Sequence, residues 1–143
     1  MLDLEQLKKK FPANFPTHLL PPEAKEESIV VYRICKSGQV DEESFLPSYL
    51  EIGRTKDFDE KDIGEYSLSA YEKIEDAEKR CAFFGNYHPE AIIAVGTTDP
   101  SCGLSQRTRE RKKMKRGKSH VDWWIYENAK PHQFFKKYEE GDD

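Results

Sequence analysis

Apolar residues in this chain come in short bursts. The longest wholly apolar run is Ala91-Ile92-Ile93-Ala94-Val95, far below the roughly 20 residues that a bilayer-spanning helix needs. Short bursts rich in β-branched and aromatic side chains suit the strands of a sheet better than long helices. Three are well marked: Ser28 to Cys35, Ala91 to Thr97, and His120 to Tyr126. In the third, Val121, Trp123 and Ile125 share one face while His120, Asp122, Trp124 and Tyr126 share the other, so one face of this strand lines something polar. Glu65-Tyr66-Ser67-Leu68-Ser69 reads as a further short strand, after which Ile74, Ala77, Cys81 and Phe84 recur at helical spacing up to Gly85. Ser69-Ala70-Tyr71-Glu72 also matches a capping box, which offers that helix an earlier start. Residues 44–53 are open between a helical turn and a weak strand.

At the N-terminus, residues 3–10 predict a short appended helix with Asp3 as N-cap and Leu4 and Leu7 on one face, stopped by Phe11-Pro12. Pro12, Pro16, Pro21 and Pro22 bias their predecessors toward extended backbone, so residues 11–27 read as an irregular strap anchored by Phe15, Leu19 and Leu20. Pro131 is suited to begin a closing helix that carries Phe134, Phe135 and Tyr138. A chain of 143 residues fits one domain. The expected organisation is a helix and strap over 1–27, a single globular domain over 28–138 and an acidic tail over 139–143. Strands mixed irregularly with few helices predict an α+β fold with a small mixed or antiparallel sheet.

Three cysteines at long spacings, Cys35, Cys81 and Cys102, are poor material for disulfides or a thiolate metal site. Cys35 and Cys81 read as small buried residues, and Cys102, in a Pro-Ser-Cys-Gly turn, as solvent-facing. The histidines form no pair at helical metal spacing, so no metal is expected, although His120 and Asp122 share a strand face. The acidic and basic N-terminus lacks the apolar core of a secretory signal, which predicts a cytoplasmic protein with no membrane partner.

Charge is strongly segregated. Arg107, Arg109, Arg111, Lys112, Lys113, Lys115, Arg116 and Lys118 face a single acid, Glu110, giving this segment a charge of +7. The rest of the chain holds 15 bases and 26 acids, or −11. Blocks of like charge are usually solvated loops, but such a block also attracts phosphates. No aromatic interrupts it, so any nucleic-acid contact it makes is directed at the backbone and sensitive to salt.

Glycine-rich phosphate loops, nucleophile elbows and zincin helices are all missing from the sequence. What remains is an ordered set. Arg33 lies in the first strand within Val31-Tyr32-Arg33-Ile34, and Tyr66-Ser67-Leu68-Ser69 in the second. A helix, a strand, a long loop and a late strand with an acidic residue follow. In this order the chain resembles the ADP-ribosyltransferase-like superfamily, including its small NAD-consuming relatives among bacterial toxins. That family carries Arg or His on the first strand, Ser-Thr-Ser or Tyr on the next, and a carboxylate on a late strand. Leu68 stands where the family often has Thr, and the Glu-x-Glu or Gln-x-Glu pair is missing.

The resemblance implies NAD as substrate, with ADP-ribose transferred to an anionic macromolecular target or NAD hydrolysed near one. It places Arg33, Ser67, Ser69, Tyr66 and Tyr71 on the dinucleotide, and makes Asp122 or Glu127, with Ser67, catalytic. The chemistry suits those types: loss of nicotinamide leaves positive charge growing on the ribose, which a fixed carboxylate stabilises. Arg offers a planar fork for ribose or diphosphate oxygens. Two readings from other classes compete. One is a non-enzymatic nucleic-acid-binding module using residues 107–118, and the other a small regulatory domain whose proline strap and aromatics bind a protein partner.

Overall fold

The computed structural model describes residues 4–47 and 59–139. The expected α+β fold is present as a six-stranded, wholly antiparallel sheet with two α-helices among the described residues. In chain order these are α1 (Leu4–Lys10), β1 (Val30–Cys35), β2 (Leu68–Tyr71), α2 (Ile74–Phe84), β3 (Ile92–Thr97), β4 (Gly103–Arg107), β5 (His120–Ile125) and β6 (Phe135–Lys137). The strand order is β4-β5-β2-β1-β3-β6.

One junction is weak. β1 pairs with β3 at six positions, from Val30↔Thr97 to Cys35↔Ile92, but with β2 only at Tyr32↔Tyr71. The sheet is thus two three-stranded halves hinged at one residue pair. Ladder groups beyond the hinge need other partners. Arg33 supplies one, donating from Nη1 to the Ser69 carbonyl at 2.8 Å and from Nε to the Ser44 carbonyl at 3.1 Å.

The N-terminal segment is part of the core and not an appendage. Leu7, Phe11, Phe15, Leu20 and Ala24 are buried with Ile63, Tyr66, Leu104, Trp124 and Tyr126. Phe11 and Phe15 stack at 4.2 Å, and the Phe11 ring meets Tyr126 edge-on at 5.0 Å. The strap also covers the β4 edge: Lys25 and Ser105 exchange backbone hydrogen bonds of 3.1 and 2.8 Å, shielding groups that would otherwise be open to pairing with another chain. Behind the sheet, Trp123 packs with Cys35, Phe45, Leu68, Ala94 and Cys102, while Ile29, Val31, Ala70 and Val121 form a third cluster.

Several sequence expectations give way to tertiary contacts. The capping box at Ser69 is not used, because Ser69 and Tyr71 pair with Asp122 and His120 on β5. Ser119 caps α2 instead: its Oγ accepts from the Lys73 amide at 3.1 Å and donates to the Asp76 carboxylate at 2.6 Å. Glu65 and Tyr66 lie in a 3₁₀ turn, Ile63–Tyr66, and the strand follows them. No helix runs on from Pro131. A 3₁₀ turn, Pro131–Phe134, leads into β6, which lies beside β3 at Gly96↔Phe135. A Cβ at Gly96 would come within 2.2 Å of the Phe134 carbonyl oxygen, so only glycine permits that approach. β4 was hidden in a stretch that reads as turn and basic run. Cys102 is buried rather than solvent-facing, since the chain turns inward there to enter β4. Of residues 44–53, Glu43–Phe45 begins the segment as a 3₁₀ turn, and 48–53 lie outside the described residues, as do Asp3 and most of the acidic tail.

Because Phe11 is 2% exposed at the centre of this N-terminal core, Phe11→Ala should lower the unfolding free energy by about 3–5 kcal/mol. Urea unfolding measures it, and a loss under about 1 kcal/mol would mean that the segment is only loosely attached.

Candidate functional site

The site is built around one carboxylate. Asp122 is 2% exposed, on the face of β5 that also carries His120. Antiparallel pairing sets Ser69 opposite Asp122 and Tyr71 opposite His120 on one side, and Gln106 opposite Asp122 on the other. Both carboxylate oxygens are engaged. Oδ1 accepts from Ser67 Oγ at 2.6 Å. Oδ2 accepts from Thr108 Oγ1 at 2.8 Å and from Arg111 Nη2 at 2.7 Å. Arg111 also donates to Gln106 Oε1 at 2.8 Å and lies over the Trp124 ring, whose Nε1 donates to the Ile63 carbonyl.

Burial by itself pushes the Asp122 carboxyl up. The charges of a protonated His120 and of Arg111, with the hydrogen bonds from Ser67 and Arg111, outweigh it and hold the group below the usual carboxylate range. His120 Nδ1 lies 2.6 Å from Thr108 Oγ1, and Tyr71 meets the imidazole edge-on at 5.3 Å. Burial lowers the His120 pKa, the Asp122 charge opposes that, and the cations Lys112, Arg111 and Arg33 reinforce it, so the ring is held neutral.

His120, Asp122, Ser69, Tyr71 and Arg33 line one cavity of about 280 Å³. α2 contributes Arg80 and Phe84, the Ile63–Tyr66 turn contributes Gly64 and Glu65, and the basic segment contributes Lys112 and Met114. A second cavity of about 250 Å³, lined by Ser37, Ser44, Glu43 and His88, shares Arg33, Ile34 and Lys36 with the first. Lys36 and Arg80 both lie over the Phe84 ring, at 4.3 and 4.7 Å. Among the described residues no group of three or more His, Cys, Asp or Glu side chains is arranged to hold a metal ion.

The structure separates some candidates that the sequence groups together. Arg33, Ser69, Tyr71 and Asp122 converge on the cavity. Ser67 is fully buried and lies between Asp122 and the Gly64 carbonyl, so it positions the carboxylate and does not reach a ligand. Tyr66 is packed in the core against Phe15, with its hydroxyl on the Glu60 carbonyl, and offers no stacking face to the cavity. Glu127 is exposed beyond the far end of β5, where its amide donates to the Lys10 carbonyl. It is too remote to share work with Asp122. Arg33 also has a structural part, since it bridges the sheet hinge.

The basic segment is not one solvated loop. Arg107 ends β4 and donates to Glu72 at 3.0 Å, Arg109 pairs with the same carboxylate, and Arg111 is taken by Asp122. Lys112, Lys113, Lys115, Arg116 and Lys118 are exposed. Sequence reasoning assigned no role to Thr108 and gave Arg111 only to nucleic acid, because nothing in Gln106-Arg107-Thr108 signals the strand that aims them. His120 could have been found from its shared parity with Asp122.

No family model matches the chain, and no match was found among curated proteins or solved structures. No helix among the described residues is long and apolar enough to cross a membrane.

Both His120 and Asp122 bind protons less readily folded than unfolded, so the stability they confer is complete above the unfolded histidine value of 6.5. It is lost as pH falls, first through the depressed His120 value and then through that of Asp122. Urea unfolding at pH 7.5 and pH 5.5 should therefore show a larger loss for the wild type than for His120→Gln, and equal losses would show that His120 titrates normally.

Proposed function

We propose that this protein binds NAD in the paired cavities and breaks its nicotinamide–ribose bond, passing ADP-ribose to an anionic macromolecular target or to water. The observation that supports this reading is the convergence of Arg33 from β1, Ser69 from β2 and Asp122 from β5 on one concave surface. Those are the residue types, in the chain order, that the transferase resemblance asks for. Bond cleavage needs no strong acid, because nicotinamide leaves as a neutral ring. It needs a fixed negative charge near the ribose, and a carboxylate held by three side chains cannot reorient to follow a weaker partner.

The arrangement also suits a dinucleotide. Each cavity alone is smaller than the roughly 300–1,000 Å³ of most ligand sites, whereas the two together are within that range. Their junction is cationic, at Arg33 and Lys36, which suits a diphosphate lying between two nucleoside ends. Tyr71 gives an aromatic face to the cavity, and Phe84 holds Lys36 and Arg80 over its ring in the same wall.

NAD at about 100 times its dissociation constant should stabilise the wild type by about 2.7 kcal/mol, read as a rise in Tm, and free nicotinamide should accumulate. Arg33→Ala should lose both responses. Its own Tm will be lower, since two backbone carbonyls lose their donor. A wild type that shows neither a Tm rise nor nicotinamide release rejects the proposal.

The exposed cluster from Lys112 to Lys118 favours a nucleic acid as the target, because Lys112 reaches from that cluster into the cavity wall. Replacing Lys112, Lys113, Lys115 and Arg116 by Ser should leave stability within about 0.5 kcal/mol. The same change should weaken single-stranded nucleic-acid binding and flatten the slope of log K against log salt. Identical slopes for variant and wild type would remove nucleic acid from the proposal.

A further inference from the structure

Asp122 does not face the cavity as an isolated carboxylate, because Thr108 ties it to His120. Thr108 Oγ1 is 2.8 Å from Asp122 Oδ2 and 2.6 Å from His120 Nδ1. A hydroxyl has one proton to give. The carboxylate is acceptor-only, so the hydroxyl donates its hydrogen bond to Asp122, and Thr108 Oγ1 must in turn accept a hydrogen bond from His120 Nδ1–H. The tautomer of the neutral imidazole follows: Nδ1 is protonated and Nε2 carries the lone pair. Nε2 has no hydrogen-bond partner among the described residues, and it is not one of the buried atoms left unsatisfied. The imidazole itself lines the cavity.

We infer that His120 is the general base of this cavity, with Thr108 and Asp122 as the positioning residues that fix its tautomer and steady the imidazolium once a proton arrives. The substrate side of this inference rests on the NAD reading. In that reaction an acceptor hydroxyl oxygen attacks the ribose C1′ as the C1′–N bond breaks. The bond pair goes to the nicotinamide nitrogen, which becomes neutral, and the acceptor proton passes to His120 Nε2. The imidazolium later releases it to solvent, so one proton appears for each NAD consumed. Asp122 keeps its negative charge throughout and remains available to the cationic ribose.

The surroundings poise the base. On its own strand His120 faces Asp122, and β2 sets Tyr71 against it. Arg33 on β1 and Arg111 and Lys112 after β4 add positive charge that resists protonation at rest. Asp62 and Glu65 from the turn before β2, with Arg80 from α2 and Lys36 beyond β1, complete the charged lining of the cavity. A ring kept neutral near pH 7 is in the form a base requires.

Nitrogen-15 NMR on histidine-labelled wild-type protein tests the geometry without any substrate. The expected result is the Nδ1–H tautomer at pH 8 with titration below 6.5, and loss of that tautomer bias in Thr108→Val. An Nε2–H tautomer in the wild type overturns the inference. With NAD, His120→Gln should lower kcat by about 10²–10⁴-fold while the dissociation constant for NAD is unchanged. The acid limb of the wild-type kcat profile should be missing in the variant. Undiminished kcat in His120→Gln overturns the inference even if NAD binds. Should the wild type leave NAD intact, the NAD reading fails, and the inference then stands or falls on the tautomer alone.

Discussion

A single buried carboxylate organises this protein. Taking Asp122 out of water costs several kcal/mol, and the charge is tolerated only because three side chains from three different segments donate to it. Ser67 ties it to the entry of β2, Thr108 to the exit of β4, and Arg111 to the middle of the basic segment. Each donor is constrained in return. Arg111 cannot leave without stranding a charge, so the basic segment departs from one defined point, and Lys112 and Met114 are delivered to the cavity wall. Trp124, under the Arg111 guanidinium, carries the same constraint into the N-terminal core.

The second constraint is the hinge in the sheet. An antiparallel ladder that continued from β1 into β2 would close the gap between them. Pairing stops after Tyr32↔Tyr71, and Arg33 substitutes a side chain for a backbone donor at the Ser69 carbonyl. The opening that results is bordered by both halves of the sheet and by α2. Arg33 therefore serves the fold and the cavity together, and the two roles are inseparable in any single substitution.

These arrangements explain which parts of the site could be read in advance. The parity of His120, Asp122 and Trp124 followed from the two-residue period of a strand, and the polar face it implied is the one lining the cavity. Arg33 and Ser69 were found because an order of residue types along the chain suggested them. The same resemblance put Tyr66 and Glu127 with them, but Tyr66 ends a 3₁₀ turn packed in the core and Glu127 lies beyond the end of β5 with the opposite parity to Asp122. Thr108 carried no signal, since its role depends on β4, whose Gly-Leu-Ser-Gln-Arg sequence lacks the β-branched residues that mark a strand. Ser119 as the cap of α2 was equally silent, being 46 residues from the amide it accepts.

What the sequence determined by itself is whatever depends on local periodicity and composition: strands at 30–35, 92–97 and 120–125, the helix ending before Gly85, and apolar runs too short to span a bilayer. Tertiary structure alone decided the rest. It converted a basic block into three paired arginines and five exposed cations, made a strand of residues 135–137 where apolar spacing favoured a helix, and joined Ser67, Thr108 and Arg111 to Asp122. The physical reason is the same in each case. A buried polar group must be satisfied by whichever donor or acceptor the folded chain brings within about 3 Å, and that partner can lie 55 residues away, as Ser67 lies from Asp122, beyond the reach of any local pattern.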